Sequence, residues 1–399
     1  MDQAMRKAVQ ALARPVTAFL TADRWYATRL FFIQRLLLSL LGVALFLLGY
    51  VPRTEDLILR PYFGMPVVSA GPAGALLGVW QRFDAIHFLR IASTGYSAPD
   101  LSAFFPLFPL VSRWASDLLG QNVLLGSFLV ANAACLAALN LLYFWMLDEG
   151  YNQALAKRTT LFLVWFPTAF FLFTPYSESM FLMLAIAGFW SVKRHRWFLA
   201  GALFALASLT RVAGAVLALV ILSEWFFTRK RHTAAQSLKA WFSAALPILA
   251  FFGFEIWKVE RGFPRTLEVQ ALYWHRTPSL PWQPIVMTAQ RLAGRMAGFI
   301  EVVDLLIVLG MILLGVMIIR RLPRTSAVYH WGLLLVGLLQ VRAGQPLSGQ
   351  GRYAVMLFPA FIVLAQLARG PIASRAVAYG FLLLNVFLAG QFILWGWVG

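Results

Sequence analysis

The feature that most constrains this chain is a series of apolar runs, each roughly 15 to 25 residues long, separated by short clusters of Lys and Arg. A helix needs about 20 apolar residues to cross about 30 Å of hydrocarbon, so runs of this length predict membrane-spanning helices. A membrane β-barrel would instead show period-2 alternation, which the runs lack. With 60% hydrophobic and only 13% charged residues, the chain lies outside the make-up of a soluble domain.

The expected spans fall at about 30–50, 122–147, 159–174, 178–192, 198–210, 212–228, 240–257, 298–319, 327–341, 354–368 and 373–397. The fold expected is an all-α polytopic membrane bundle of about 11 transmembrane helices, a single integral membrane domain over 1–399. Residues 1–29 read as a cytoplasmic amphipathic lead-in. Residues 51–121 form a long first outer loop in which 104–119, interrupted by Pro106, Pro109, Arg113 and Asp117, is an interfacial helix, and 258–297 form a second outer loop. The basic residues support this layout, because 19 of the 34 Lys and Arg fall on the short segments assigned to the inside.

The net charge of +18 does not imply nucleic acid, since the basic residues sit in small groups at helix ends and form no single stripe. Topology and contact with membrane lipids account for it. Cys135 is the sole cysteine, inside an apolar run, which leaves no disulfide and no Cys-based metal site. No metal or cofactor is expected. About 29 mostly polar residues precede the first apolar run, unlike a cleavable signal peptide.

Five stretches carry polar groups. In QRFDAIHFLRIA, a helical period puts Asp84 and His87 on one face; an Asp held at a membrane surface among aromatics can have a raised pKa and act as a general base. A solvated loop Asp and a packing His are the plain alternatives. In FPTAFFLFTPYSES, Pro175 breaks a helix, Ser177 suits the cap of the next, and Tyr176 and Glu178 flank it; a capped helix start explains the pattern as well as a functional carboxylate does. Arg211, in LASLTRVAG, lies at headgroup depth, either snorkelling or pairing with a lipid phosphate. The stretch LEVQALYWHRTPSLPW offers Gln270, Trp274 and Arg276, a set suited to a sugar or to an interfacial aromatic belt. SGQGRYAVMLFP delivers Arg352 and Tyr353 to a helix start, without the spacing of a nucleotide P-loop. All five fall on one side of the expected bundle, which points to one outward-facing site with a carboxylate, aromatic walls and two arginines, Arg211 and Arg352.

Together these stretches resemble the PIG-V, or GPI mannosyltransferase 2, family of polyprenyl-phosphate-dependent glycosyltransferases, which has a glycosyltransferase-C fold. RFDAIHFLRIASTGY, AFFPLFPL, FPTAFFLFTPYSES, LASLTR, QALYWHRTPSLPW and GRYAVMLFPAF carry the likeness, from about residue 80 to 361. Phe83 stands where the family often has Trp, and only Asp100 is available where it has an acidic residue after the GY pair. The resemblance implies transfer of a mannose or similar hexose from a polyprenyl-phosphate-linked donor to a lipid or glycan acceptor hydroxyl. It further implies Asp84 as base with inversion, His87 and Glu178 orienting Asp84 or holding sugar hydroxyls, Arg211 and Arg352 on the phosphate, and Gln270, Trp274 and Arg276 lining the sugar or acceptor side. A multi-pass protein of a bacterial plasma membrane, its site facing the extracytoplasmic side, is the expected setting. The competing class is a transporter or flippase of lipids or lipid-linked sugars, which would need charges lining a path through the bilayer.

Overall fold

The computed structural model describes residues 23–399. Residues 1–22 of the lead-in expected over 1–29 lie outside the described residues, and Tyr26 to Arg29 open the first helix. The helices in chain order are α1 Tyr26–Leu47, α2 Gly71–Leu76, α3 Asp84–Thr94, α4 Leu107–Asp117, α5 Val123–Asp148, α6 Gln153–Trp165, α7 Glu178–Lys193, α8 Trp197–Ser208, α9 Ala218–Thr228, α10 Ala234–Glu260, α11 Thr266–Trp274, α12 Gln283–Ala293, α13 Phe299–Arg321, α14 Arg324–Leu338, α15 Gln350–Ala354, α16 Phe358–Leu367 and α17 Pro371–Ile393. Among the described residues the only sheet is a two-stranded antiparallel ribbon, β1 Arg276–Pro278 and β2 Gln340–Arg342. The fold is that of an all-α polytopic membrane protein.

Among the described residues six elements are long and apolar enough to cross a membrane: α1, α5, the run Val212–Arg231 that contains α9, α10, α13 and α17. The other five expected spans are shorter helices, and two of these, α7 and α16, are mostly buried. Helix limits follow local chemistry. Asn122 and Asn152 cap α5 and α6 by accepting from the Leu125 and Leu155 N–H groups. α6 ends just before Pro167, which cannot continue a helix. Close crossings rely on small residues: a side chain at Gly201 of α8 would stand 2.4 Å from the Ser243 carbonyl of α10.

The break between α6 and α7, FPTAFFLFTPYS, is buried throughout, so its freed backbone groups must find partners inside the protein. They do. Asn385 of α17 donates to the Phe166 carbonyl at 2.8 Å, and Asn132 of α5 and Arg35 of α1 donate to the Phe173 carbonyl at 3.2 and 3.0 Å. Phe170, Phe171 and Tyr176 of this segment pack around Phe392 near the end of α17. A segment whose helical part is one 3-10 turn, Ala169–Phe173, is thereby fixed in the bundle interior and leads into Tyr176 and Glu178 of the polar motifs.

Candidate active site

The organising residue is Asp84, the first residue of α3. The residue before it, Phe83, adopts φ 49°, ψ −124°, a conformation that costs a non-glycine residue of order 1–3 kcal/mol. Three aromatic rings, Phe392, Trp395 and Trp397, hold Phe83 at centroid distances of 5.5, 5.3 and 5.2 Å. Arg82, fully buried, fastens the same turn by donating to the Ile393 carbonyl (3.0 Å) and the Tyr62 hydroxyl (2.9 Å).

The Asp84 carboxylate accepts from Arg352 Nη1 at 2.6 Å. Arg352 also places Nε 3.1 Å from Glu178 Oε1, and that same carboxylate oxygen accepts from Arg211 Nη1 at 2.7 Å. The result is one alternating chain, Asp84, Arg352, Glu178, Arg211, built from four separate stretches of sequence. Tyr353 closes it. Its hydroxyl accepts from Arg276 Nη1 (3.2 Å) and Arg352 Nη2 (3.4 Å), while Arg211 covers its ring at 4.7 Å.

The strand pair explains how Arg276 reaches the cluster, because its register sets Arg276 opposite Arg342. Both side chains are tied to Ser348, Arg276 through the carbonyl and Arg342 through the hydroxyl. Arg352 is positioned by its neighbour Gly351, whose N–H donates to Asp304 Oδ1 (2.9 Å) and whose carbonyl accepts from Thr168 (2.7 Å). A side chain at Gly351 would stand 2.6 Å from Asp304 Oδ1, which leaves glycine as the fitting residue. Asp304→Ala is expected to destabilise the protein by about 1–3 kcal/mol, the cost of orphaning a buried N–H, and to appear as a lowered thermal midpoint in detergent.

Asp84, Tyr176, Glu178, Arg211, Gln270, Trp274, Arg276, Arg352 and Tyr353 all line one cavity of about 300 Å³. Its far wall is apolar, formed by Ile307, Val308 and Met311 of α13 with Leu333, Leu334 and Leu339 from α14 and its end. Gln270 Oε1, Arg276 Nε and Trp397 Nε1 are buried at this cavity without hydrogen-bond partners, so the wall keeps polar atoms for an occupant.

Several expectations are corrected by this geometry. Asp84 does not have a raised pKa: burial pushes its carboxyl up, but Arg352, His87 and Arg276 outweigh it and leave the group below the ordinary carboxylate range. His87 does not orient Asp84. It lies 3.5 Å from Asp100, stacks on Phe104 and contacts Trp274, outside the lining of the cavity. Asp100, which also takes Arg90 Nη1 at 2.8 Å, is thus the supporting carboxylate of His87. Glu178 is connected to Asp84 only through Arg352. Ser177 makes no side-chain cap and accepts from Arg211 instead, and Arg211, paired with Glu178, lines the cavity. Sequence reasoning missed Asp304, Arg342 and Trp397. The first had a signal, an acid within an apolar run.

Among the described residues no group of three or more His, Cys, Asp or Glu side chains is placed to hold a metal ion. The family profile described as mannosyltransferase (PIG-V) matches residues 26–254, more than half of the chain. The chain belongs to the PIG-V mannosyltransferase family. The PIG-V match covers Asp84, Tyr176, Glu178 and Arg211, and the fold brings Gln270, Trp274, Arg276, Arg352 and Tyr353 to them from outside it.

Among PIG-V relatives, GPI alpha-1,6-mannosyltransferase 2 of Cricetulus griseus is 35% identical over 151 residues, 35% of this chain and 30% of that protein. GPI mannosyltransferase 2 of Cryptococcus neoformans is 30% identical over 195 residues, 44% of this chain and 45% of that protein. The matched stretches thus span 30% to 45% of these relatives' length. A crystal structure of ArnT from Cupriavidus metallidurans bound to undecaprenyl phosphate aligns with 86% of this chain and 62% of its own, at 15% identity and a TM-score of 0.48.

Proposed function

We propose that this protein moves a mannose or similar hexose from a polyprenyl-phosphate-linked donor to the hydroxyl of a lipid or glycan acceptor, in the cavity headed by Asp84. One observation carries the proposal: a single cavity joins a carboxylate, a cluster of guanidinium groups and an apolar wall. A phosphate bearing a long hydrocarbon needs the last two, and activation of an attacking hydroxyl needs the first.

In this reading Arg211, Arg276 and Arg352 receive the donor phosphate, with the chain along the α13 and α14 wall. Asp84 takes the acceptor hydroxyl proton as the acceptor oxygen bonds to the sugar C1. The bond from C1 to the phosphate oxygen breaks, and its electron pair remains on the phosphate, whose growing charge the guanidinium groups offset. A single displacement inverts the configuration at C1. Because Arg352 contacts both Asp84 and the phosphate position, a bound donor draws it away from the carboxylate and makes Asp84 a stronger base when it is needed. Gln270 and Trp274 line the sugar or acceptor side. His87, backed by Asp100, supports the Trp274 wall. The same reading places residues 51–121 and 258–297 in outer loops of one membrane domain, the site facing away from the cytoplasm, in a plasma membrane of bacterial type. A flippase would need charge spread along a path; among the cavity-lining residues the charged groups are joined in one cluster by the Asp84, Arg352, Glu178 and Arg211 pairs and the Tyr353 hydroxyl.

Binding tests the phosphate assignment separately from chemistry. Polyprenyl phosphate is expected to raise the thermal midpoint of the reconstituted protein, the uncharged polyprenol much less, and the difference to shrink in Arg276→Ala. Equal stabilisation by both lipids would overturn it. A pH effect accompanies this. Burial pushes the Tyr353 phenol up, but Arg276, Arg352 and Arg211 outweigh it and bring it down to about 7. Above that pH the phenolate competes with the phosphate for the same guanidinium groups, so KM for the donor is expected to rise with pH in the wild type and stay level in Tyr353→Phe.

A further inference from the structure

Between α1 and α2 the chain makes a tight turn whose tip is unlike any ordinary polar loop. Asp56 and Arg60 bond to each other through both backbone pairs, at 3.3 and 2.8 Å, and Asp56 Oδ1 accepts from the Ile58 and Leu59 N–H groups. This fixes three consecutive aliphatic side chains outward: Leu57, Ile58 and Leu59 are 81%, 87% and 70% exposed. Rigid presentation of three large apolar side chains to water is costly, about 1.5–3 kcal/mol for each relative to burial.

Both feet of the turn are tied to ends of membrane-spanning helices. On one side Arg53 donates to the Phe46 carbonyl and lies over the Phe46 ring, in the last turn of α1. On the other, Tyr62 is buried and its hydroxyl accepts from Arg82, which also donates to the carbonyl of Ile393, the last residue of α17. From Arg53 to Leu57 is four residues, at most about 14 Å of chain, and from Tyr62 back to Leu59 is three, at most about 11 Å. The tip therefore lies within reach of the level at which two spans leave the hydrocarbon. Exposed apolar side chains continue toward it from the end of α1, Leu47, and from Leu48 and Tyr50 just beyond it. We infer that Leu57, Ile58 and Leu59 form a fingertip that inserts into the leaflet adjoining the outer ends of α1 and α17. The flanking charges, Arg53 and Arg60 against Glu55 and Asp56, cancel, so the lipid contact is apolar and does not depend on anionic headgroups. The next residue along the return limb, Phe63, packs on His87 and under Arg90, which ties the fingertip to the segment that carries Asp84.

The inference is independent of the reaction and is tested on the full chain in nanodiscs of phosphatidylcholine. Cys135, the single native cysteine, is buried, so Ile58→Cys in a Cys135→Ala background takes one environment-sensitive nitrobenzoxadiazole label; Leu59→Cys serves as a second site. The expected result is blue-shifted emission, with roughly twofold loss of intensity when 5-doxyl lipid is included, as for a probe about 5–10 Å into the interface. Adding anionic lipid is expected to leave this unchanged. Water-like emission quenched by iodide would overturn the inference. So would a blue shift without doxyl quenching, which would place the tip against protein.

Discussion

Asp84→Asn is expected to lower the rate of sugar transfer by about 10²- to 10⁴-fold, the usual contribution of a positioned general base, while leaving the fold in place. The asparagine is isosteric, and its carbonyl can still accept from Arg352 Nη1, now at 2.6 Å from Asp84 Oδ2. What it cannot do is take a proton. The loss should therefore fall on kcat, with KM for the donor little changed, because the phosphate contacts belong to the arginines. The pH profile gives a second check. Since Arg352 holds the Asp84 carboxyl below the ordinary carboxylate range in the free enzyme, kcat/KM of the wild type should show no acid limb from Asp84 between about pH 5 and 7. A variant with unchanged kcat would remove Asp84 from the chemistry, whatever its burial.

Arg352→Ala is expected to do damage of a different kind. Arg352 is the shared partner of Asp84 and Glu178, and its side chain is only 6% exposed. Removing it leaves two carboxylates at one cavity with less positive charge between them. Breaking a buried ion pair by deleting one member costs about 3–5 kcal/mol, so a lowered thermal midpoint is expected. Activity should fall by about 10²- to 10³-fold or more, since a principal group facing the departing phosphate is lost. Arg352→Lys separates the two effects. A single ammonium restores the charge and part of the stability, but it lacks the planar fork that spans Asp84 and Glu178 together, so activity should remain low. Full activity in the lysine variant would show that charge alone suffices and that the fork geometry is incidental.

Much of this was legible in the chain. Apolar run length sets the helices, basic clusters order them, and the motifs around Asp84, Glu178, Arg211, Arg276 and Arg352 can each be read locally. What local reading cannot supply is pairing. That Glu178 serves two arginines, and not Asp84, follows from the break between α6 and α7, which is buried and turned by contacts from α1, α5 and α17. Arg342 looks like a loop residue until the β1–β2 register sets it beside Arg276. Asp100 follows the GY pair in sequence, yet its service to His87 depends on how the chain folds back after α3. The sign of the Asp84 shift depends on the same kind of distant pairing. Aromatic neighbours in sequence suggest desolvation, whereas the partner that decides the outcome, Arg352, is 268 residues away. The apolar run over 159–174 looks like one span, but Pro167 ends α6 early and the chain then crosses the interior with only a short 3-10 turn, Ala169–Phe173.

The account rests on a lipid-linked phosphate as the sugar carrier, and turnover of that donor tests it most directly. Purified protein in nanodiscs, given polyprenyl-phosphate-mannose labelled in the sugar together with a panel of lipid and glycan acceptors, should pass the label to an acceptor and release polyprenyl phosphate. Nucleotide-linked mannose should give no product under the same conditions. Failure to turn over any polyprenyl-phosphate sugar, or transfer directly from the nucleotide sugar, would contradict the account.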